Sequence, residues 1–257
     1  MTANFYLGLD LGQARDHTAL TLLEESLWLD WSWRRSTSFR DEFRQSDPAV
    51  GWHAPSDLTV SQAELLRSFN YHRGRPDAPP LALRHLDRVP LGTSYPAIVE
   101  KVVALLHTAP LDGKPTSLVV DATGVGAPVV DLFRQANLGD HVELVPVTIT
   151  GGFTVGHDLF NNSYTTPKRD LVSSVAVLLE QRRLKIAAAS PEAPTLVREL
   201  QEFKRRVTPA GSDSYASWRE SVHDDLVLAT ALACWYREYQ NALIDQQNAR
   251  LARRDAS

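Results

Sequence analysis

Asp10 lies in FYLGLDLG, Asp121 in SLVVDATG, and Asp224 and Asp225 stand side by side in HDDLVLATALACW. All four are carboxylates set among apolar neighbours, where an unpaired charge is costly to bury. Taken singly, each also suits a bland role as an acid capping a turn at the end of a strand or helix. Taken together they pose a chemical question, because converging carboxylates repel one another and take up protons unless a cation neutralises them. A ligand set of oxygen alone favours Mg²⁺ or Mn²⁺ over zinc, and Mg²⁺ is usually held by a few carboxylates plus water and substrate phosphate. The pattern therefore points to phosphoryl chemistry. His223, immediately before the aspartate pair, is a candidate for orienting a water or a phosphate, and equally a capping or surface group.

For such convergence the acids must meet at one edge of a sheet. FYLGLDL (5–11) and TALTLLEE (18–25) read as two strands joined by a polar turn, LALRHLDRVP (81–90) as a third, and TSLVVDATG (116–124) as a short β-branched strand ending in an acid. The carboxyl ends of strands are where open α/β sheets place functional groups. If the amphipathic helix YPAIVEKVVALLHT (95–108) returns the chain so that the fourth strand runs parallel to the first, Asp10 and Asp121 become neighbours with backbones ~4.8 Å apart. Asp224 or Asp225, heading a helix that covers the sheet, closes the triangle. Adjacent helical residues diverge by ~100°, so the two are not equivalent, and Asp225, which shares a face with Ala229 and Leu232, is expected to point inward.

Further helices are predicted at 126–137, with Thr166 as N-cap and Pro167 as first position of a helix over LVSSVAVLLEQRRL, and over PEAPTLVRELQEFKRR, with a fifth strand at VELVPVTIT and an edge strand at LKIAAA. The expected fold is α/β, with a mixed central sheet made of a three-strand antiparallel meander plus parallel strands, flanked by helices. It forms one domain over 1–240, with an irregular insertion at about 36–80 and a charged, frayed tail over 241–257.

The 257 residues are 43% hydrophobic, which is ordinary for a chain with a real core and excludes a disordered one. A net charge of -4 does not advertise nucleic-acid binding, although a local basic surface remains open. A single cysteine, Cys234, excludes an internal disulfide and any multi-cysteine zinc site, and its apolar surroundings suit a buried hydrophobe. No basic leader and no apolar run of ~20 residues is present, so a soluble cytoplasmic protein, with no membrane partner, is expected.

GLDLG and DATGVG also resemble the phosphate turns of actin-like and sugar-kinase ATPases, but those proteins duplicate the fold across two large lobes, for which 257 residues leave little room. A Walker-type phosphate loop is absent: Gly113 and Lys114 are followed by Pro115.

GLDLGQARDHTAL, DATGVGAPVVDLF, TPKRDLVSSVAVLLEQRRLKIA and WRESVHDDLVLATALACW, in this order, resemble the nuclease domain of phage terminase large subunits, of ribonuclease H-like fold. The resemblance covers most of the chain outside 36–80. It implies essential acids at Asp10, Asp121 and Asp224 or Asp225, and a DNA endonuclease acting during genome packaging. Two Mg²⁺ or Mn²⁺ ions, ~3.5–4 Å apart, would activate water and stabilise the leaving 3′ oxygen. Asp10 is the expected bridging ligand. Family members normally carry an N-terminal packaging ATPase, whereas this sequence opens directly at the nuclease strand, so a separate ATPase, a small terminase subunit or a portal are the expected partners. A Holliday-junction resolvase of the same fold and a non-catalytic DNA-binding or packaging module stay open as alternatives.

Double-stranded DNA as substrate calls for a basic surface. Residues 168–219 hold ten Lys or Arg against six Asp or Glu, and Lys168, Arg169, Arg182, Arg183, Lys204, Arg205 and Arg206 are its candidate backbone contacts. Nothing in the sequence offers base-specific readout, so little sequence specificity is expected.

Overall fold

A computed structural model of the chain describes residues 2–12, 16–27, 79–187, 190–206 and 224–254. Nearly all of the expected insertion, and His223, lie outside these residues. Strands β1 (Thr2–Asp10), β2 (Thr18–Leu27) and β3 (Leu81–Val89) form the antiparallel meander. Helix α1 (Tyr95–Leu106), begun by a Ser94 side-chain cap, carries the chain to β4 (Thr116–Asp121), which runs parallel to β1. Helix α2 (Gly126–Gln135) leads to β5 (Val142–Thr150), parallel to β4.

Then come β6 (Gly156–Asp158), β7 (Ser163–Pro167), α3 (Lys168–Glu180), β8 (Leu184–Ile186), α4 (Ala193–Arg206) and α5 (Asp225–Arg254). The sheet order is β6-β7-β5-β4-β1-β2-β3-β8.

Strand alternation splits the core into two layers. Leu7 and Leu9 of β1, with Leu118 and Val120 of β4, face α1 and α2. Tyr6, Ala19, Val119 and Val147 face the other way, against α3, α4 and α5. Residues 226–236 of α5 carry the apolar run quoted above, and nearly all are fully buried against β1 and β2. Its one polar residue, Thr230, is satisfied by Thr21 of β2, with the two hydroxyl oxygens 3.0 Å apart.

Three elements differ from the sequence reading. Residues 156–167 form an additional pair of strands, because a stretch as short as SYTTP is too brief for periodicity to flag despite its Tyr and Thr content. Pro167 is accordingly the last strand residue and the N-cap, and α3 begins at Lys168. The tail expected after 240 is instead a continuation of α5 through Arg254, as Ala, Leu, Gln and Arg without Gly or Pro favour.

Candidate active site at the carboxyl ends of β1 and β4

The last registered pair of β1 and β4 is Leu9 with Val120, so one step on Asp10 and Asp121 stand beside each other on adjacent strands. Asp10 pairs across β2 with Ala19, Ala19 pairs across β3 with Arg88, and Asp121 pairs across β5 with Val147. Val147, Asp121, Asp10, Ala19 and Arg88 thus form one row across five strands. Residues in register share a face, and Val147 and Ala19 belong to the layer under α5, so the two acids and the arginine face that helix.

Gly8 sets how α5 meets the row. A Cβ there would fall 1.9 Å from the Ala229 carbonyl oxygen, so only glycine admits the helix this close to β1. Asp225 is one turn before Ala229, and Asp10 is two residues beyond Gly8, so this seat carries the head of α5 to the acids.

Asp10 is 7% exposed and its carboxyl is held well above the usual carboxylate range. Burial is the largest cause, followed by the charges of Asp121, Asp225 and Asp224, with Lys168 opposing. Asp225, 4% exposed, accepts a hydrogen bond from Arg88 Nη2 at 3.0 Å. Lys168 Nζ lies 3.8 Å from Asp224 Oδ2. Asp121 Oδ1 accepts from the Thr123 amide at 2.8 Å, tying it to the turn that follows β4.

Arg88 and Glu199 are absent from the sequence reading. Glu199 of α4 is buried, and its Oε2 accepts from the Leu226 and Val227 amides at 3.1 and 3.2 Å. It therefore satisfies the open amides at the head of α5, where an anion is favoured. Burial raises its carboxyl to about 7, against the pull of the Val227 amide and Arg88. Both residues left a signal: Arg88 alternates onto the same strand face as Leu86, and Glu199 lies on the helix stripe of Leu196 and Leu200. A charged group on an apolar face needs a partner, and these two find theirs at the head of α5, Arg88 on Asp225 and Glu199 on the two amides that follow it.

The residues suit a divalent cation in kind. Every candidate donor is a carboxylate oxygen, and a buried acid crowded by three like charges is what a cation relieves. Among the described residues, no three His, Cys, Asp or Glu side chains are drawn together as a closed ligand set. The acids are gathered but held apart, since Arg88, Lys168 and the Thr123 amide each engage one of them.

The basic candidates divide. Lys168 is at the site. Arg169 donates to the Phe153 carbonyl at 3.1 Å and lies 3.6 Å from Asp170. Arg182 is exposed beyond the far end of α3, about 20 Å from Lys168 at 1.5 Å per residue. Arg183 is corrected: it is 5% exposed and pairs with Glu238 at 2.9 Å, so it serves the core and faces no DNA backbone. Lys204, Arg205 and Arg206 end α4, and their side chains lie outside the described residues.

A family model, the terminase RNaseH-like domain, matches residues 91–236, more than half of the chain and the part that carries Asp121 and the head of α5. The chain belongs to the terminase RNaseH-like domain family. Its mixed sheet flanked by helices is thus a ribonuclease H-like, terminase-type fold. The domain is also similar to the crystal structure of the large terminase nuclease from the thermophilic phage G20c. Identity is 15%, 90% of this chain and 81% of that chain are covered, and the TM-score is 0.44. No curated protein matches the sequence. No helix among its described residues is long and apolar enough to cross a membrane.

Proposed function

We propose that this terminase-type domain is an Mg²⁺- or Mn²⁺-dependent DNA endonuclease, with Asp10, Asp121, Asp225 and Asp224 as the ligands of two ions. The observation that carries the reading is the side-by-side placement of Asp10 and Asp121, with the head of α5 seated over them through Gly8. The chemistry that bound ions would supply is a lowered pKa for the attacking water and stabilisation of the departing 3′ oxygen.

The chain's own residues do the positioning. Asp10, on a central strand, is the most rigidly held and suits a ligand shared between ions. Glu199 fixes the first turn of α5, and so the depth of Asp225. Arg88 and Lys168 balance Asp225 and Asp224 before any ion arrives, which limits the cost of keeping four carboxylates together. Burial of Asp10 keeps bulk water off the central carboxylate. Double-stranded DNA, read with little sequence preference, is the substrate, and a packaging ATPase, a small terminase subunit or a portal are the partners of this reading. A single nuclease domain over 1–240, working in the cytoplasm, completes it.

The test is nicking and linearisation of plasmid DNA in Mn²⁺ and Mg²⁺ by the wild type, Asp10→Ala and Asp121→Ala. Wild type should cut, and each variant should lose at least a hundredfold in rate. Intact plasmid with wild type across metals and salts, or normal cutting by both variants, overturns the assignment.

A further inference from the structure

Phe153 lies in the loop 151–155 between β5 and β6 and is 78% exposed. The Arg169 guanidinium carbon sits 4.3 Å from the centre of its ring, and the same guanidinium donates to the Phe153 carbonyl. The cation therefore covers one face of the ring and fixes the loop, while the rest of the ring stands in solvent. Nothing in packing asks for an exposed phenylalanine to be braced in this way.

Its place relative to the acids follows from register. Val147 is in the row with Asp121 and Asp10, and β5 continues three residues beyond it to Thr150, about 10 Å further at 3.3 Å per residue. The loop bearing Phe153 therefore rises from the same end of the sheet as the acids. Residue 168, next to the bracing arginine, reaches Asp224 itself. A nucleic-acid strand advances about 3.4 Å per nucleotide, so roughly three nucleotides separate the row from Thr150, where the loop bearing the ring begins.

We infer that Phe153, braced by Arg169, is a stacking platform for an unpaired base of the DNA strand lying over the acids. A base fits better than a phosphate, because the Arg169 guanidinium is already committed to the Phe153 carbonyl and to Asp170, and what remains presented is an aromatic face. This inference rests on the nuclease reading and adds a substrate preference to it: DNA with an unpaired segment beside the cut site over fully paired duplex.

The experiment measures binding of the full chain in EDTA, by fluorescence anisotropy, to a blunt duplex and to the same duplex with a five-nucleotide single-stranded extension. Wild type should favour the extended duplex, and Phe153→Ala should lose about tenfold on it with little change on the blunt one, the usual scale of one base stack. Phe153→Trp should retain the preference and Phe153→Leu should lose it, with thermal unfolding confirming that each variant is folded. Wild-type binding of the extended duplex by Phe153→Ala or Phe153→Leu, or equal losses on both duplexes, overturns the inference. Cutting of plasmid by wild type in Mn²⁺ reads the nuclease assignment separately, so either idea can fail alone.

Discussion

Gly8 and Ala229 meet backbone to backbone, closer than any residue with a side chain at position 8 would allow. The obstacle to a Cβ is a helix carbonyl, which cannot rotate away. Gly8→Ala is therefore expected to lift α5, costing about 1–3 kcal/mol or more, and to carry Asp225 off the row. Urea unfolding measures the cost, and plasmid cutting by the folded fraction measures the displacement. Wild-type stability in this variant would mean that α5 does not sit where described.

Asp10→Asn is expected to separate stability from activity. The asparagine keeps the shape of a carboxyl group whose pKa burial and three neighbouring acids hold well above the usual carboxylate range, and it carries no charge to be repelled. Without metal the variant should melt above wild type by a few degrees. It should also lose cutting, and lose most of the rise in Tm that Mn²⁺ gives the wild type.

Arg88→Gln leaves Asp225 buried with its cation gone. Removing one partner of such a pair costs about 3–5 kcal/mol when burial is complete, and less here because the Arg88 side chain is 18% exposed. A divalent ion then has more charge to neutralise, so the Mn²⁺-dependent rise in Tm should exceed that of the wild type. An equal or smaller rise would place Asp225 outside the ion's reach.

The fold was legible in the sequence where period and composition agreed. The meander and the apolar helix after Asp225 could be read because each run is long and evenly patterned, and β4 because its short run is almost wholly apolar or β-branched before the terminal acid. Residues 156–167 were not, since a three-residue strand and a five-residue strand carry no usable period. The candidate acids stand out as charges in apolar settings, but the groups that answer them do not. Arg88 and Lys168 come from β3 and α3, and only the folded register shows that they meet Asp225 and Asp224, with Glu199 of α4 beside Arg88 and on the amides of the same helix head. Arg183 misleads for the converse reason, because local charge density does not reveal that Glu238 waits one layer away.

Asp170 gives a pH dependence whose sign is fixed by its surroundings. Burial raises its carboxyl from 3.8 to about 6, with Arg169 opposing. The folded state holds the proton more tightly, so this group favours folding most below about pH 4 and its contribution is lost as pH rises through about 6. Asp170→Asn should gain on the order of 1 kcal/mol over wild type at pH 7.5, after allowance for solvent screening, and nothing below pH 4. Urea midpoints at the two pH values measure the difference.

Thr21 and Thr230 should behave as a coupled pair. Thr21→Val alone strands a buried hydroxyl at a cost of about 1–3 kcal/mol, whereas Thr21→Val with Thr230→Val removes both groups and should lie close to wild type. Additive losses in the double variant would show that the two hydroxyls do not satisfy each other.

Helix α5 is a beam of 30 residues, about 45 Å long, and two of the contacts that fix it lie a little over two turns apart. One fixing is the seat at Ala229 and Thr230. The other is Arg237, which is buried and bound to Glu25 at the opposite end of β2. Asp225 lies about 6 Å before the first fixing, in a turn that Glu199 and Arg88 also hold, while the helix runs on about 25 Å past the second, with Tyr239 still packed against Tyr164. Bending of a beam beyond one clamp is scarcely felt beyond the other. A disturbance of α5 beyond Arg237 therefore has to pass both fixings before it reaches the acids, which stay in register with the strands beneath them.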